Sequence, residues 1–185
     1  TEAPSVNNQW LVRVGPGRYD LGSSSLDLPD YTTIEGAGQD VTVITASGFA
    51  DHTHGTVIMG NYGKLSRMTV NSSGESTYKT AVLIPSGTTQ VGLDHAALLA
   101  SDPTNTNGTT YAVYAGSDTY FWLEHCLLIA NGAMSNYGVY AGSSTWITRL
   151  DSVEVNVYGS SSMSYGFYGR AASPRIKSSS FGVPD

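Results

Sequence analysis

Asp94, Glu124 and Asp151 each follow a leucine directly and lie 30 and 27 residues apart. His95 and His125 follow the first two acids, and Arg149 stands two residues before the third. If equal positions of a repeat stack at the strand spacing of about 4.8 Å, the three carboxylates line one edge, close enough for a hard cation such as calcium to settle between them. Carboxylates beside histidines and an arginine are also what a polysaccharide lyase or glycoside hydrolase needs as acid and base. A third outcome is structural: Arg149, and Arg175 one unit further on, can neutralise the acids diagonally in a solvated ladder. Asp94, Glu124 and Asp151 are therefore candidate metal ligands and, with His95, His125 and Arg149, candidate catalytic residues. Residue type alone does not choose among the three.

Tyrosines recur with the same regularity. The phrases "TYAVYAGSDT", "NYGVYAGSST" and "SYGFYGRAAS" place Tyr111, Tyr137 and Tyr165 ahead of an apolar residue and Tyr114, Tyr140 and Tyr168 behind it. Stacked, they form two outward columns, the second continuing from Ile58 and Leu83. Such a face can dock sugar rings, pack against another copy of the chain, or stabilise its own strands. Trp122, just before a leucine anchor, joins the six tyrosines as a candidate sugar contact.

Two lesser groups carry chemistry-bearing side chains. Asp51, His52 and His54 in "DHTHG" suggest zinc, but no further Cys or His at ligand spacing supports it, and a polar loop is expected. Cys126 falls at an inward position and is expected to be an inert core thiol.

The elements that must hold these groups follow from periodicity. Ile34, Leu65, Leu93, Leu123, Leu150 and Ile176 are separated by 31, 28, 30, 27 and 26 residues, and Val57, Val82, Val113, Val139 and Phe167 by 25, 31, 26 and 28. Two independent series share one period, the mark of a solenoid. Within a unit the apolar runs are short and alternate with period two, as in "AVLI" and "SVEVNV", punctuated by Gly, Ser, Asn and Pro. After each anchor the apolar positions fall at +3 and +5, and an odd step inside a period-two pattern requires a bend. Short strands joined by sharp bends make one coil of a parallel β-solenoid, whose inner face is buried only by stacking coil on coil. Leucine-rich repeats are excluded because their L-x-x-L-x-L pattern is missing.

The segment "VRVGPGRYDLGSSSLDLPDYTTIEGAGQDVTVI", Val12 to Ile44, resembles the first coils of right-handed parallel β-helix proteins of the pectate-lyase-like superfamily. The later "NYGVYAGSST" and "PRIKSSSF" resemble that superfamily's bacterial repeat type. The resemblance implies the fold and leaves function open, since the superfamily includes lyases, hydrolases, esterases, epimerases, phage tailspikes and adhesins. Gly17-Arg18-Tyr19 matches the opening of pectin methylesterases, but their "QDT" and "DFIFG" segments have no counterpart. Arg175-Ile176-Lys177 matches the "RIK" of polygalacturonases without the motifs that should precede it. The expected architecture is all-β: one right-handed parallel β-helix of about six to seven coils. Residues 1–9 form an N-terminal arm, 10–29 the first coil and 30–185 the repeated coils.

Composition narrows the partners. A net charge of −6, from 9 Lys and Arg against 15 Asp and Glu, would repel a phosphate backbone, so nucleic acid is not expected. Charged residues make up 13% of the chain, against about 25% in an average soluble domain, a profile of turns and strands. No apolar run approaches a membrane span, so no membrane insertion is expected. A chain that starts without Met and with no capping segment is expected to be processed or cut from a longer parent, or to associate through its coil ends or tyrosine column. Together these readings predict a secreted or cell-surface module that binds a polysaccharide or surface glycan without cleaving it and without an obligatory cofactor. A lyase or hydrolase, or a structural spacer in a surface or phage-fibre protein, is the alternative.

Overall fold

The structure is a computed structural model that describes residues 2–102, 104, 107–159, 163–169, 176–177 and 179–182. The first coil comprises β1 (Trp10–Arg13), β2 (Gly17–Asp20) and β3 (Leu26–Asp27), and the second β4 (Thr32–Glu35), β5 (Thr42–Ala46) and β6 (Val57–Ile58). In the third and fourth coils two sides merge into one bent strand: β7 (Lys64–Ser73) with β8 (Tyr78–Ile84), then β9 (Val91–Ser101) with β10 (Thr109–Ala115). The fifth coil holds β11 (Tyr120–Glu124), β12 (Leu127–Asn131) and β13 (Ser135–Ala141), and the sixth β14 (Trp146–Asp151), β15 (Glu154–Tyr158) and β16 (Met163–Gly169). β17 (Ile176–Lys177) and β18 (Ser180–Gly182) follow, and none of the described residues is helical.

All pairing between named strands is parallel and runs from coil to coil, so the chain is a parallel β-helix with three faces. The first face stacks β1, β4, β7, β9, β11, β14 and β17; the second is built from β2, β5, the far halves of β7 and β9, β12, β15 and β18. The third stacks β3, β6, β8, β10, β13 and β16. The all-β, right-handed parallel β-helix expected from the repeat is the fold. About five turns enclose a buried interior, slightly fewer than the six to seven expected, because the end rungs add little to the core. Of β1 and β2 only Trp10 is even partly buried, and β17 is two residues long.

Each periodic series is one ladder. Ile34, Leu65, Leu93, Leu123, Leu150 and Ile176 are in register, as are Leu26, Val57, Val82, Val113, Val139 and Phe167. Leu65, Leu93, Leu123 and Leu150 are wholly buried, and burying a leucine contributes about 1.5–3 kcal/mol. The odd step of three is explained by backbone geometry. Arg67, His95, His125 and Ser152, two residues past their anchors, take left-handed φ angles of 57°, 48°, 51° and 54°. One left-handed residue turns the chain from the first face to the second, so Met68, Ala96, Cys126 and Val153 all point inward.

The third face departs from plain alternation. Ala112 and Val113 are both buried, and Tyr111 and Tyr114 lie on the same side, their rings 5.0 Å apart. In the next coil the place of Ala112 is taken by Gly138, where a Cβ would stand 2.1 Å from Val155 Cγ1. The third face thus presses close to β15 at this point.

Candidate functional site

The first face carries three outward rows that register makes adjacent. One runs Thr33, Lys64, Gly92, Trp122, Arg149; the next Glu35, Ser66, Asp94, Glu124, Asp151, Lys177. The third is the corner itself, Arg67, His95, His125 and Ser152. The earlier coils of these rows, with Gly38 and Gln39 of the loop after β4, enclose a groove of about 780 Å³ lined by Glu35, Lys64, Arg67, Asp94, His95 and His125.

Asp94 is the centre of this groove. Lys64 Nζ donates to its Oδ2 at 3.1 Å, His95 Nδ1 lies 2.6 Å from its Oδ1 and His125 Nδ1 3.6 Å from the same oxygen. The imidazoles of His95 and His125 stack with centroids 4.4 Å apart, because both occupy the left-handed corner in successive coils. Burial pushes the Asp94 carboxyl up, but the hydrogen bonds and positive charge of Lys64 and His95 outweigh it and hold the group below the usual carboxylate range.

Glu124 and Asp151 lie directly above Asp94 in the row, as their spacing predicts. They are joined to a different partner: Arg149 Nη1 is 2.7 Å from Glu124 Oε1, and Nη2 is 2.5 Å from Asp151 Oδ2. The arginine stands where a hard cation would bridge the two carboxylates. Its hydrogen bond to Asp151 is the main reason that the aspartate is held low and the guanidinium high. Arg175, expected to help, lies outside the described residues, and Lys177 Nζ reaches Asp151 at 3.8 Å instead. On the other side Arg13 and Arg67 both approach Glu35, at 3.8 and 3.6 Å. Every carboxylate of the face is therefore matched to a cation.

Trp122 lies across Gly92. A Cβ at Gly92 would sit 2.5 Å from Trp122 Cζ2, so the missing side chain is what makes room for the indole. The ring is partly buried and sits over the Gly92 position, between Lys64 and Arg149 in its row.

The tyrosines form the two expected ladders, but their ring faces are spent on one another. Tyr114 stacks on Tyr140 at 4.9 Å and Tyr140 on Tyr168 at 5.2 Å; Tyr111 stacks on Tyr137 at 5.1 Å and Tyr137 on Tyr165 at 5.5 Å. The columns meet edge to face, so that Tyr111 is buried and its hydroxyl, like those of Tyr114 and Tyr137, is pushed above the usual range mainly by burial.

The expectation that Leu83 heads an exposed column is corrected, because Leu83 is buried under the Asp51–Gly55 loop. His52 of that loop approaches Tyr78 and Tyr114 at 5.9 and 5.6 Å, while His54 turns to Asp51 at 2.9 Å. The "DHTHG" loop is a cover for the head of the tyrosine face. Cys126 is buried, its Sγ donating to the Leu93 and Glu124 carbonyls, and burial pushes its pKa up to about 12.

One buried polar line escaped the sequence reading. Lys79 is wholly buried and its Nζ donates to Asp102 Oδ2 at 2.7 Å; beside it in register, Thr110 Oγ1 donates to Asn136 Oδ1 at 2.7 Å. The only sequence signal was a polar residue before each third-face apolar pair, at Lys79, Thr110, Asn136 and Ser164.

No family model and no curated protein matches the chain. Among solved structures it is similar to a pectin methylesterase from Yersinia enterocolitica, at 13% identity and a TM-score of 0.59, over 93% of this chain and 57% of that one. The chain spans a little over half the length of that protein. At such identity the likeness is one of fold, and it places the chain among parallel β-helices.

Proposed function

We propose that the protein binds a polysaccharide on its first face and does not cleave it. The observation that carries this reading is the partly exposed Trp122 indole seated over Gly92, beside a groove whose carboxylates are already paired. A sugar ring stacks on an indole face, while Lys64, Asp94, His95 and Arg149 offer donors and acceptors for hydroxyls and carboxylates at the rim. The tyrosine columns are the weaker platform, since their rings turn edges and not faces to solvent.

Cleavage by two carboxylates requires one of them to hold a proton near neutral pH. Asp94 and Asp151 are both held low, which favours binding over catalysis. The fold shared with a pectin methylesterase agrees with a polysaccharide ligand, and a secreted or cell-surface location suits such a role.

The test is retention of the protein in affinity gels cast with acidic and neutral polysaccharides, with and without calcium, while new chain ends are assayed in parallel. Retention without new ends, lost in Trp122→Ala and kept in Tyr114→Ala/Tyr140→Ala/Tyr168→Ala, is the expected result. New ends that disappear in Asp94→Asn would replace this reading with that of a lyase or hydrolase. Retention that disappears only in the tyrosine variant would move the site to the third face.

A further inference from the structure

The corner column holds a second kind of site, which shares Asp94 and His95 with the rim of the groove. We propose that Asp94, His95 and His125 bind one Zn²⁺ ion, with its remaining coordination open to the groove. A carboxylate oxygen of Asp94 and a ring nitrogen of each histidine all lie within 4.8 Å of one another. Two donors bound to one zinc at about 2.0–2.2 Å stand roughly 3.4 Å apart in a tetrahedron, and the two imidazole-to-carboxylate distances, 2.6 and 3.6 Å, bracket that value. Only small movements of two exposed imidazoles separate this arrangement from a coordination sphere.

The donor set selects the metal. Calcium and magnesium require oxygen cages, whereas two imidazoles and one carboxylate suit zinc and its neighbours. Three protein ligands are also the number that leaves a position for water or a ligand oxygen.

The carboxylate is held in place for this purpose, since Lys64 takes Oδ2 at 3.1 Å and leaves Oδ1 facing the two rings. The cations nearby are occupied: Arg67, one coil before His95 at the same corner, is turned to Glu35, and Arg149 is turned to Glu124 and Asp151.

The left-handed corner is a conformation that histidine and asparagine both adopt more readily than most residues. The same geometry provides a clean test, because Asn keeps the corner and removes the imidazole.

Zn²⁺ is titrated calorimetrically into the intact protein without polysaccharide, and Co²⁺ absorption reports the coordination. The expected result is one saturable equivalent of Zn²⁺ and a low-symmetry or tetrahedral Co²⁺ spectrum. His95→Asn and His125→Asn each weaken binding at least tenfold with an unchanged metal-free melting temperature, whereas His52→Ala/His54→Ala leaves it intact. Absence of saturable binding in the parent protein, binding that survives both Asn variants, or binding lost with His52 and His54 overturns the proposal. Failure of the polysaccharide assay leaves this titration unaffected, so the two readings fall separately.

Discussion

The first and third faces are built on the same coils yet use their ladders in opposite ways. On the third face the rungs of coils four to six repeat one residue type, tyrosine over tyrosine, and each ring stacks on its copy in the neighbouring coil. On the first face the rungs differ from coil to coil: Lys64, Gly92, Trp122 and Arg149 in one row, Ser66, Asp94, Glu124 and Asp151 in the next. Stacked tyrosines cover one another's faces and leave little of them for a sugar. Unlike residues create a gap over Gly92 that the Trp122 indole enters, and a groove beside it. The site is found where the repeat is broken.

The sharpest way to break the comparison is to disturb the interior behind the tyrosines. Asp102→Ala leaves the wholly buried Lys79 ammonium without its carboxylate and is expected to cost about 3–5 kcal/mol, measured by urea unfolding. A loss below about 1 kcal/mol would show that Lys79 finds other partners and that the pair does not anchor this side.

Tyr140→Ala removes the middle ring of a column and its contacts with Tyr114, Tyr168, Tyr111 and Tyr137, at an expected cost of about 2 kcal/mol. Polysaccharide retention should be unchanged. Trp122→Ala is its mirror image: retention falls at least tenfold, about 1.4 kcal/mol, while the melting temperature moves little. If the two variants exchanged phenotypes, the assignment of scaffold and site would be reversed.

The smallest effect expected is the pH dependence contributed by Asp94. Its folded pKa is depressed, so the ionised form stabilises the fold fully above the unfolded carboxylate value of about 3.9, and that contribution is lost as pH falls through the lower folded value. Urea midpoints of the parent and Asp94→Asn should differ most at neutral pH and converge in acid. A gap that widened in acid would contradict the assigned ion pair with Lys64.

Much of this was legible in the residues. The leucine and valine series, the bend after each anchor and the stacking of Asp94, Glu124 and Asp151 were all consequences of a period near 27 residues, because a solenoid maps sequence distance directly onto rungs. The pairing of those acids was only half legible: Arg149 could be named as a partner, but not that it would take Glu124 and Asp151 together and leave Asp94 to Lys64 and two imidazoles.

The sequence by itself determined the coil, its short strands and the rungs of the leucine and valine ladders, since periodicity and residue type suffice to stack a parallel solenoid. Only the tertiary structure decided which rungs face a ligand. Ring orientation set tyrosine against tyrosine, the loop at Asp51–Gly55 covered Leu83, and a missing Cβ let the Trp122 ring occupy the space over Gly92. The left-handed corner brought His95 and His125 within 4.4 Å of each other. These are matters of side-chain direction and close approach across coils, which repeat spacing does not encode.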